Sequence, residues 1–232
     1  MYTRIKQNLA EIYLLSEQYG KAEQNFKDIL NAIQIDSNFN LEDIAAVQIN
    51  LAQALENQER YKEAESVVHE AFKNLEKYFG PEHPEVAATL IYKASLLLNQ
   101  EKYEEAEAVS RKAIEINKKQ SESEEFEAAT CFKILALALD FQEKYDEAEF
   151  FYRKVLEINY NRYPADELET ADSLTQLADL LQNQAKYGEA KSLYGRALKI
   201  YETKLGKDDP QYISCLADFT AMLEKIPPKA SK

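Results

Sequence analysis

The chain has 232 residues, of which 45% are hydrophobic and 30% are charged, a composition that supports a folded core and excludes intrinsic disorder. Its 28 Lys and Arg against 41 Asp and Glu give a net charge of −13, which argues against a nucleic acid as partner because no basic run stands apart from the acids. Only 5 Gly and 6 Pro are present, too few for the many turns of an all-β protein, so the composition favours helix.

The N-terminal residues carry no targeting or membrane signal. The first eight, MYTRIKQN, contain no apolar segment like the core of a secretory signal peptide. No run of 18 or more apolar residues follows anywhere in the sequence, so no membrane-spanning helix is predicted. We therefore expect a soluble, cytoplasmic protein that does not bind a membrane.

From residue 2 onward the sequence repeats itself with a period of 42 residues. The repeated positions are a tyrosine (Tyr19, Tyr61, Tyr103, Tyr145, Tyr187), an alanine three residues later (Ala22, Ala64, Ala106, Ala148, Ala190) and an alanine twelve residues before that one (Ala10, Ala52, Ala94, Ala136, Ala178). Around Ala52 and around Ala64, apolar residues follow the spacing of a helix. Each repeat is therefore predicted to be two helices that approach closely at the alanines. The predicted repeats are about 2–37, 38–79, 80–121, 122–163 and 164–205.

The connectors between repeats also recur. Gly80-Pro-Glu-His-Pro84 and Gly206-Lys-Asp-Asp-Pro210 lie three periods apart; glycine suits the residue after a helix, and proline suits the first turn of the next one. Asn40 and Asp209 are predicted to be N-caps. The breaks near residues 38, 80, 122, 164 and 206 are interpreted as turns within one stack. Residues 1–232 are thus predicted to be a single domain that ends in a capping helix at about 208–226.

These rows of small and aromatic residues resemble the tetratricopeptide repeat, whose usual length is about 34 residues. The segments FGPEHPEVAATL and LGKDDPQY, the latter after ALKIYETK, are similar to repeats of the kinesin light chain type. The resemblance covers residues 2 to 226 and implies an all-α fold, a right-handed α-solenoid (superhelix) of five helix pairs plus the C-terminal capping helix. It also implies a concave groove lined by the first helix of each pair, the kind of surface with which repeat proteins bind partners.

Counting from the small residue of each first helix gives the positions that would face this groove. The candidate peptide-binding residues are Asn8, Ile49, Asn50, Ile91, Tyr92, Lys133, Ile134, Leu137, Phe141 and Gln176. The apolar members would form a strip through the middle repeats, a typical footprint of a protein partner. Asn8 and Asn50 would hydrogen-bond a peptide backbone, as the resemblance implies for this row. The alternative is that the apolar side chains are buried against neighbouring helices and the asparagines are only solvated.

The charges of the groove rows limit the class of partner. Seven acids (Glu11, Glu56, Asp140, Asp172, Asp179, Asp218, Glu224) stand there with three bases (Arg4, Lys133, Lys225). The resemblance implies that relatives which capture acidic C-termini or acidic cargo peptides need a basic groove, and this one is acidic. Charge complementarity therefore favours a neutral, apolar or basic protein segment as partner.

No catalytic or metal-binding set is indicated. His69 and His83 have no partner at metal-ligand spacing, and Cys131 and Cys215 share one repeat position at which packing explains them better than reactivity. No glycine-rich phosphate loop is present, so no cofactor is predicted. The predicted function is a non-enzymatic protein-interaction scaffold, for which a monomer is favoured although the sequence does not determine the oligomeric state. The alternatives are a self-assembling unit whose first or final helix docks on another copy, and a sensor or regulatory repeat region of a larger signalling protein.

Overall fold

The computed structural model describes residues 2–33, 40–119, 125–162 and 167–226. Within these ranges it contains eleven α-helices and no strand. The helices are α1 (Tyr2–Leu15), α2 (Tyr19–Ile33), α3 (Leu41–Glu56), α4 (Tyr61–Phe79), α5 (Pro84–Asn99), α6 (Tyr103–Lys119), α7 (Glu125–Phe141), α8 (Tyr145–Arg162), α9 (Leu168–Asn183), α10 (Tyr187–Lys204) and α11 (Pro210–Glu224). The predicted all-α solenoid of helix pairs is confirmed. None of the described helices is long and apolar enough to cross a membrane.

The chain divides into two compact units, Met1–Glu124 and Glu125–Lys232. In unit 1 the helix pairs are α1–α2, α3–α4 and α5–α6, and α2 and α4 also pack against the first helix of the next pair. In unit 2 the pairs are α7–α8 and α9–α10, and α8 and α10 pack in the same way against α9 and α11. Within each unit, second helices thus join one pair to the next. The single domain over residues 1–232 stays a prediction.

The repeated alanines are the points of closest packing. All ten of them, from Ala10 to Ala190, are 0% exposed. A methyl group is the largest side chain that leaves two helix backbones this close, so a bulkier residue would force the pair apart. The alanines that recur with the sequence period therefore mark where the two helices of a pair pack most closely.

A residue with a positive φ closes every turn between the two helices of a pair. These residues recur at the repeat period with φ between 58° and 60°: Glu17, Glu59, Glu101, Glu143 and Ala185. The next residue donates its backbone N–H to a carbonyl five residues back, as Arg60 does to Leu55 at 3.0 Å and Lys186 to Leu181 at 2.8 Å. This bond ends a helix in a Schellman motif. Here it forms around residues other than glycine, although left-handed backbone costs such residues about 1 kcal/mol.

The turns between repeats contain the predicted caps. The Asn40 side chain accepts the backbone N–H of Asp43 at 2.8 Å, and the Asp43 carboxylate accepts the N–H of Asn40 at 3.2 Å, which is a capping box. Asp209 accepts a backbone N–H at 2.8 Å, so both predicted N-caps are confirmed. Gly80 and Gly206 have a φ of +92°, and the predicted capping helix is α11. The breaks predicted near residues 38, 122 and 164 lie outside the described residues.

A repeated set of polar side chains ties second helices to the repeat that follows. A glutamate accepts hydrogen bonds from a glutamine 35 residues later and from a lysine or arginine 37 residues later: Glu23 with Gln58 and Arg60, Glu65 with Gln100 and Lys102, and Glu149 with Gln184 and Lys186. We call each set a Glu–Gln–Lys clamp. Burial alone would raise the pKa of Glu23, but its hydrogen bonds from Lys27, Arg60 and Gln58 together outweigh burial and lower the pKa to about 2. The clamp therefore holds a charged carboxylate in a mostly buried place.

Candidate binding surface on the first helices

All the predicted groove residues lie on the first helix of a pair. These first helices are α1, α3 and α5 in unit 1, and α7, α9 and α11 in unit 2. We call the side of these helices that carries the predicted residues the first-helix face of each unit. Side-chain hydrogen bonds cross between neighbouring first helices, from Asn99 to Glu56 in unit 1 at 3.1 Å and from Asn183 to Asp140 in unit 2 at 3.5 Å. Neighbouring first helices therefore share one surface within each unit.

In unit 1 the first-helix face holds a carboxylate between two donors. The Tyr92 hydroxyl of α5 donates to one oxygen of Glu56 on α3 at 2.8 Å, and the Asn99 amide donates to the other oxygen. Burial, together with the bond to Glu56, raises the pKa of the Tyr92 hydroxyl. Tyr92 therefore stays protonated with its hydroxyl engaged, and it is the half-buried ring that can meet a ligand.

The remaining predicted residues of unit 1 differ in exposure. Asn8 is exposed, Ile49 and Asn50 are half-buried, and Ile91 is only 8% exposed. Ile91 therefore belongs mainly to the core, as the alternative interpretation of the apolar strip expected. Asn8 and Asn50 are the predicted residues of this unit that bring amide groups to the surface.

In unit 2 the predicted residues lie on α7 and α9. Ile134 is 8% exposed and belongs mainly to the core. Lys133, Leu137 and Gln176 are half-buried, and Phe141, the last residue of α7, is 61% exposed. The apolar surface of the predicted strip is thus concentrated at Phe141, with Leu137 one turn before it.

Aspartates of unit 2 are tied to tyrosines of the second helices. Asp179 accepts the Tyr194 hydroxyl, and Asp172 accepts the Tyr201 hydroxyl at 2.6 Å. Burial raises the pKa of Asp179, the bond from Tyr194 offsets only part of this, and nearby acids raise the pKa further, to about 6. Burial also raises the pKa of Asp140, although one hydrogen bond opposes the shift. A cationic group of a ligand would lower both pKa values again and would be attracted for the same reason.

The reactive residue types in the described part of the chain have structural surroundings. No three His, Cys, Asp or Glu are grouped there so as to hold a metal ion. Cys131 and Cys215 are buried free thiols, and burial raises their pKa values to about 12 and about 11. Neither is therefore a thiolate at neutral pH. His83 caps α5, since its Nδ1 accepts the backbone N–H of Glu85 at 3.2 Å. The predicted residues on the first-helix faces carry aromatic rings, aliphatic groups, amides and one amine.

Two polar arrangements on or beside these faces were missed by the sequence analysis. The aspartate–tyrosine pairs of unit 2 join residues 15 and 29 positions apart. The two pairs share no spacing from which the sequence could have indicated them. The links between first helices did have a signal, because Glu56 with Asn99 and Asp140 with Asn183 are both an acid followed by an asparagine 43 residues later. This spacing is one residue longer than the repeat, as expected for adjacent positions on neighbouring first helices.

Comparison with known proteins identifies the repeat. A tetratricopeptide repeat profile matches residues 43–119 and 86–161, and a second tetratricopeptide repeat profile matches residues 170–211. No curated protein sequence matches the chain. Among solved structures, a putative kinesin light chain of Podosopora anserina with nearly identical TPR-like repeats has a TM-score of 0.73 and 21% sequence identity. That match covers 86% of this chain and 94% of the other.

Two further solved structures share the fold. A Rap protein complexed with Competence and Sporulation Factor has a TM-score of 0.67 at 14% identity, covering 95% of this chain and 64% of its own. A signal transduction ATPase of Pyrococcus horikoshii with a tetratricopeptide repeat sensor has a TM-score of 0.75 at 16% identity, covering 97% of this chain and 34% of its own. At these identities the likeness establishes the fold alone. The profile matches extend over more than half of the sequence, and the chain therefore belongs to the tetratricopeptide repeat family.

Proposed function

We propose that this protein-interaction scaffold binds a peptide or a helical segment of another protein on its first-helix faces, without catalysis. The observation that carries the proposal is Phe141, an aromatic ring that is 61% exposed on the first-helix face of unit 2. Half-buried Leu137 lies one turn before it and Asp140 directly beside it in sequence. Aromatic side chains with an apolar neighbour and a polar edge are enriched where proteins bind each other.

The partner segment is neutral, apolar or basic in this proposal. Its support is the excess of carboxylates on these faces, among them Glu56, Asp140 and Asp179, of which the last two have raised pKa values. A lysine or arginine of the partner would relieve that unfavourable burial of negative charge. Binding of a basic segment is then expected to weaken as salt is added, because salt screens attraction between exposed charges.

Two further observations agree with this function. A stack of the same fold, the Rap protein, is known in complex with Competence and Sporulation Factor, so a repeat array of this kind can hold a separate factor. The two buried cysteines are free thiols, which suits a reducing compartment, and we place the scaffold in the cytoplasm.

A matched pair of phenylalanine substitutions tests the first-helix face. Phe141 on α7 is 61% exposed and Phe150 on α8, a second helix, is 56% exposed. Affinity capture followed by mass spectrometry is expected to lose partners with Phe141→Ala and to keep them with Phe150→Ala. We expect the loss to be at least about tenfold, as for a residue at the centre of an interface. Circular dichroism checks that both variants keep the helical content of the unaltered chain.

The comparison of the two variants decides the proposal. If folded Phe141→Ala retains the same partners as Phe150→Ala, binding takes place elsewhere and the first-helix face is not the site. The captured partners are then retested at low and high salt. Partners whose binding strengthens with salt would contradict the expected basic segment.

A second candidate function is that of a sensor or regulatory repeat region. The observation that favours it is the likeness to the repeat sensor of the Pyrococcus horikoshii ATPase, of which this chain covers 34%. The first-helix face would then receive a signal that a neighbouring domain reads. The extent of the natural protein separates the candidates, because a sensor or regulatory role requires a further domain before or after residues 1–232.

A further inference from the structure

The last first helix, α11, exposes apolar side chains at positions that α9, one repeat earlier, buries. Ile213, Leu216 and Leu223 are 53%, 40% and 37% exposed, and Thr220 between them is exposed as well. We call these four residues the α11 row. One period earlier, on α9, the same four positions are Ala171, Leu174, Ala178 and Leu181, and all of them are 0% exposed. The α11 row is therefore a surface that the preceding repeat covers completely.

Among the described residues, α9 is covered by a second helix of its own pair and α11 is not. Helix α9 packs against the preceding second helix α8 and against its own partner α10. Helix α11 packs against α10 and α9, and the residues that it buries are Cys215 and Met222. Positions that are buried on α9 but open on α11 are thus those that the partner helix of the same pair would contact.

The sequence after α11 differs from the sequence that forms the turn and the second helix after α9. In that turn Ala185 has a φ of 58°, and one period later stands Pro227. A proline ring holds φ near −65°, so it does not permit this turn. The tyrosine and alanine that mark a second helix, Tyr187 and Ala190, are likewise replaced one period later by lysines.

We propose that a second copy of this chain covers the α11 row, with α11 packing antiparallel against the α11 of the other copy across a two-fold axis. The row has the spacing of three, four and three residues that forms an apolar seam between two helices. It is also symmetric about Asp218, so an antiparallel partner sets Ile213 opposite Leu223 and Leu216 opposite Thr220. Such self-complementarity is what a two-fold interface requires. A second helix joined by a short turn also runs antiparallel to its first helix, so the open position already fits this direction.

Charge and area determine how strong the pairing is. The row itself contains no charge, but each copy carries a net charge of −13, and this repulsion opposes association unless salt screens it. Four side chains offer much less than the roughly 800 Å² per partner of a stable complex. The dimer is therefore reversible, forms at high protein concentration and strengthens with salt, which is the opposite of the salt dependence expected for a basic peptide.

Helix α1 supplies the matched control. Its exposed residues Leu9, Ile12 and Leu15 are 39%, 58% and 85% exposed, but they are spaced by three residues throughout, so they drift around the helix and form no straight seam. A charge placed at Ile12 is thus expected to leave the dimer intact, while the same charge at Leu216 removes it.

Sedimentation equilibrium measures the dimer directly. Over a protein concentration of about 1 to about 500 μM, the unaltered chain and Ile12→Asp should both shift from monomer to dimer, and added salt should move the shift to lower concentration. Leu216→Asp should weaken the dimer at least tenfold, with unchanged helical circular dichroism. A monomer at every concentration, or equal dimerisation of all three proteins, would overturn the proposal.

Disulfide trapping tests the antiparallel geometry. A mixture of Ile213→Cys and Leu223→Cys should form a covalent dimer on mild oxidation, because these positions face each other. Ile213→Cys alone should not, because its two copies would lie about 15 Å apart along the helix axis, beyond the reach of a disulfide. Native Cys131 and Cys215 are buried and give the background in the unaltered chain. A covalent dimer from Ile213→Cys alone, or none from the mixture, contradicts this arrangement.

Discussion

Asp179 is a single residue whose buried charge lowers the free energy of unfolding. Burial moves its pKa from the usual 3.8 to about 6, so between these pH values the folded chain holds a proton that the unfolded chain has released. Its contribution to the free energy of unfolding therefore falls as pH rises through this window. Above pH 6 the charged carboxylate destabilises the fold by about 2 to 3 kcal/mol.

Replacement of Asp179 by asparagine should remove this cost. Asp179→Asn can still accept the hydrogen bond from Tyr194, but it carries no charge to bury. We expect a higher melting temperature than the unaltered chain at about pH 7.5 and little difference at about pH 4.5. Asp208→Asn, at an exposed position, is the control and should differ from the unaltered chain at neither pH. An equal gain for Asp179→Asn at both pH values would mean that the buried charge is not the cause.

Ala185 is the one alanine among five residues with positive φ at the turns within pairs. Asparagine tolerates left-handed backbone better than alanine does, so Ala185→Asn should raise the free energy of unfolding by about 0.5 to 1 kcal/mol. The control is Ala46→Asn, at an exposed position inside α3. There asparagine should lower stability, because it is a poorer helix former than alanine. Urea denaturation measures both, and a loss of stability with Ala185→Asn would contradict the strain argument.

At the scale of helices, the Glu–Gln–Lys clamps fasten α2, α4 and α8 to the helix pair that follows each of them. The Glu23 side chain is 12% exposed and meets Arg60 at 2.7 Å, while the Glu63 side chain meets the same arginine but is 58% exposed. We expect Glu23→Gln to lower the free energy of unfolding by about 1 to 3 kcal/mol, since a buried charged bond is lost. Glu63→Gln should cost much less, because exposed ion pairs contribute little to stability. Equal effects in chemical denaturation would show that burial adds nothing to the clamp.

The helices themselves were predictable because their packing leaves a trace in every repeat. An alanine at a close approach and a cap before a helix are local requirements, so Ala52, Ala64, Asn40 and Asp209 could be recognised without knowledge of their neighbours. The clamp glutamates follow the same period and could have been found in the same way. The residues that repeat in the sequence are those through which one helix packs against or is fastened to the next.

At the scale of the whole molecule, how deeply a side chain is buried depends on neighbouring helices, and the sequence does not give their positions. Ile91 and Ile134 occupy the predicted positions on their helices, yet each is only 8% exposed, while Phe141 at the end of α7 is 61% exposed. The period gives the direction in which a side chain leaves its helix. It does not show how closely the flanking helices cover that side chain. The aspartate–tyrosine pairs were not predictable either, because they depend on how far side chains of different helices extend. The fold was therefore more predictable than the candidate site.

The clamps also allow the repeat array to be lengthened by inserting further repeats. Because Glu65, Gln100 and Lys102 lie within one stretch of 42 residues, 61–102, a duplicate of that stretch inserted after residue 102 would bring its own fastening and lengthen the array by one module. The array cannot be extended in this way after α10. Lys191 occupies the clamp-glutamate position there and would repel the lysine or arginine of an added repeat. A longer first-helix face should therefore be obtained by inserting repeats within the array.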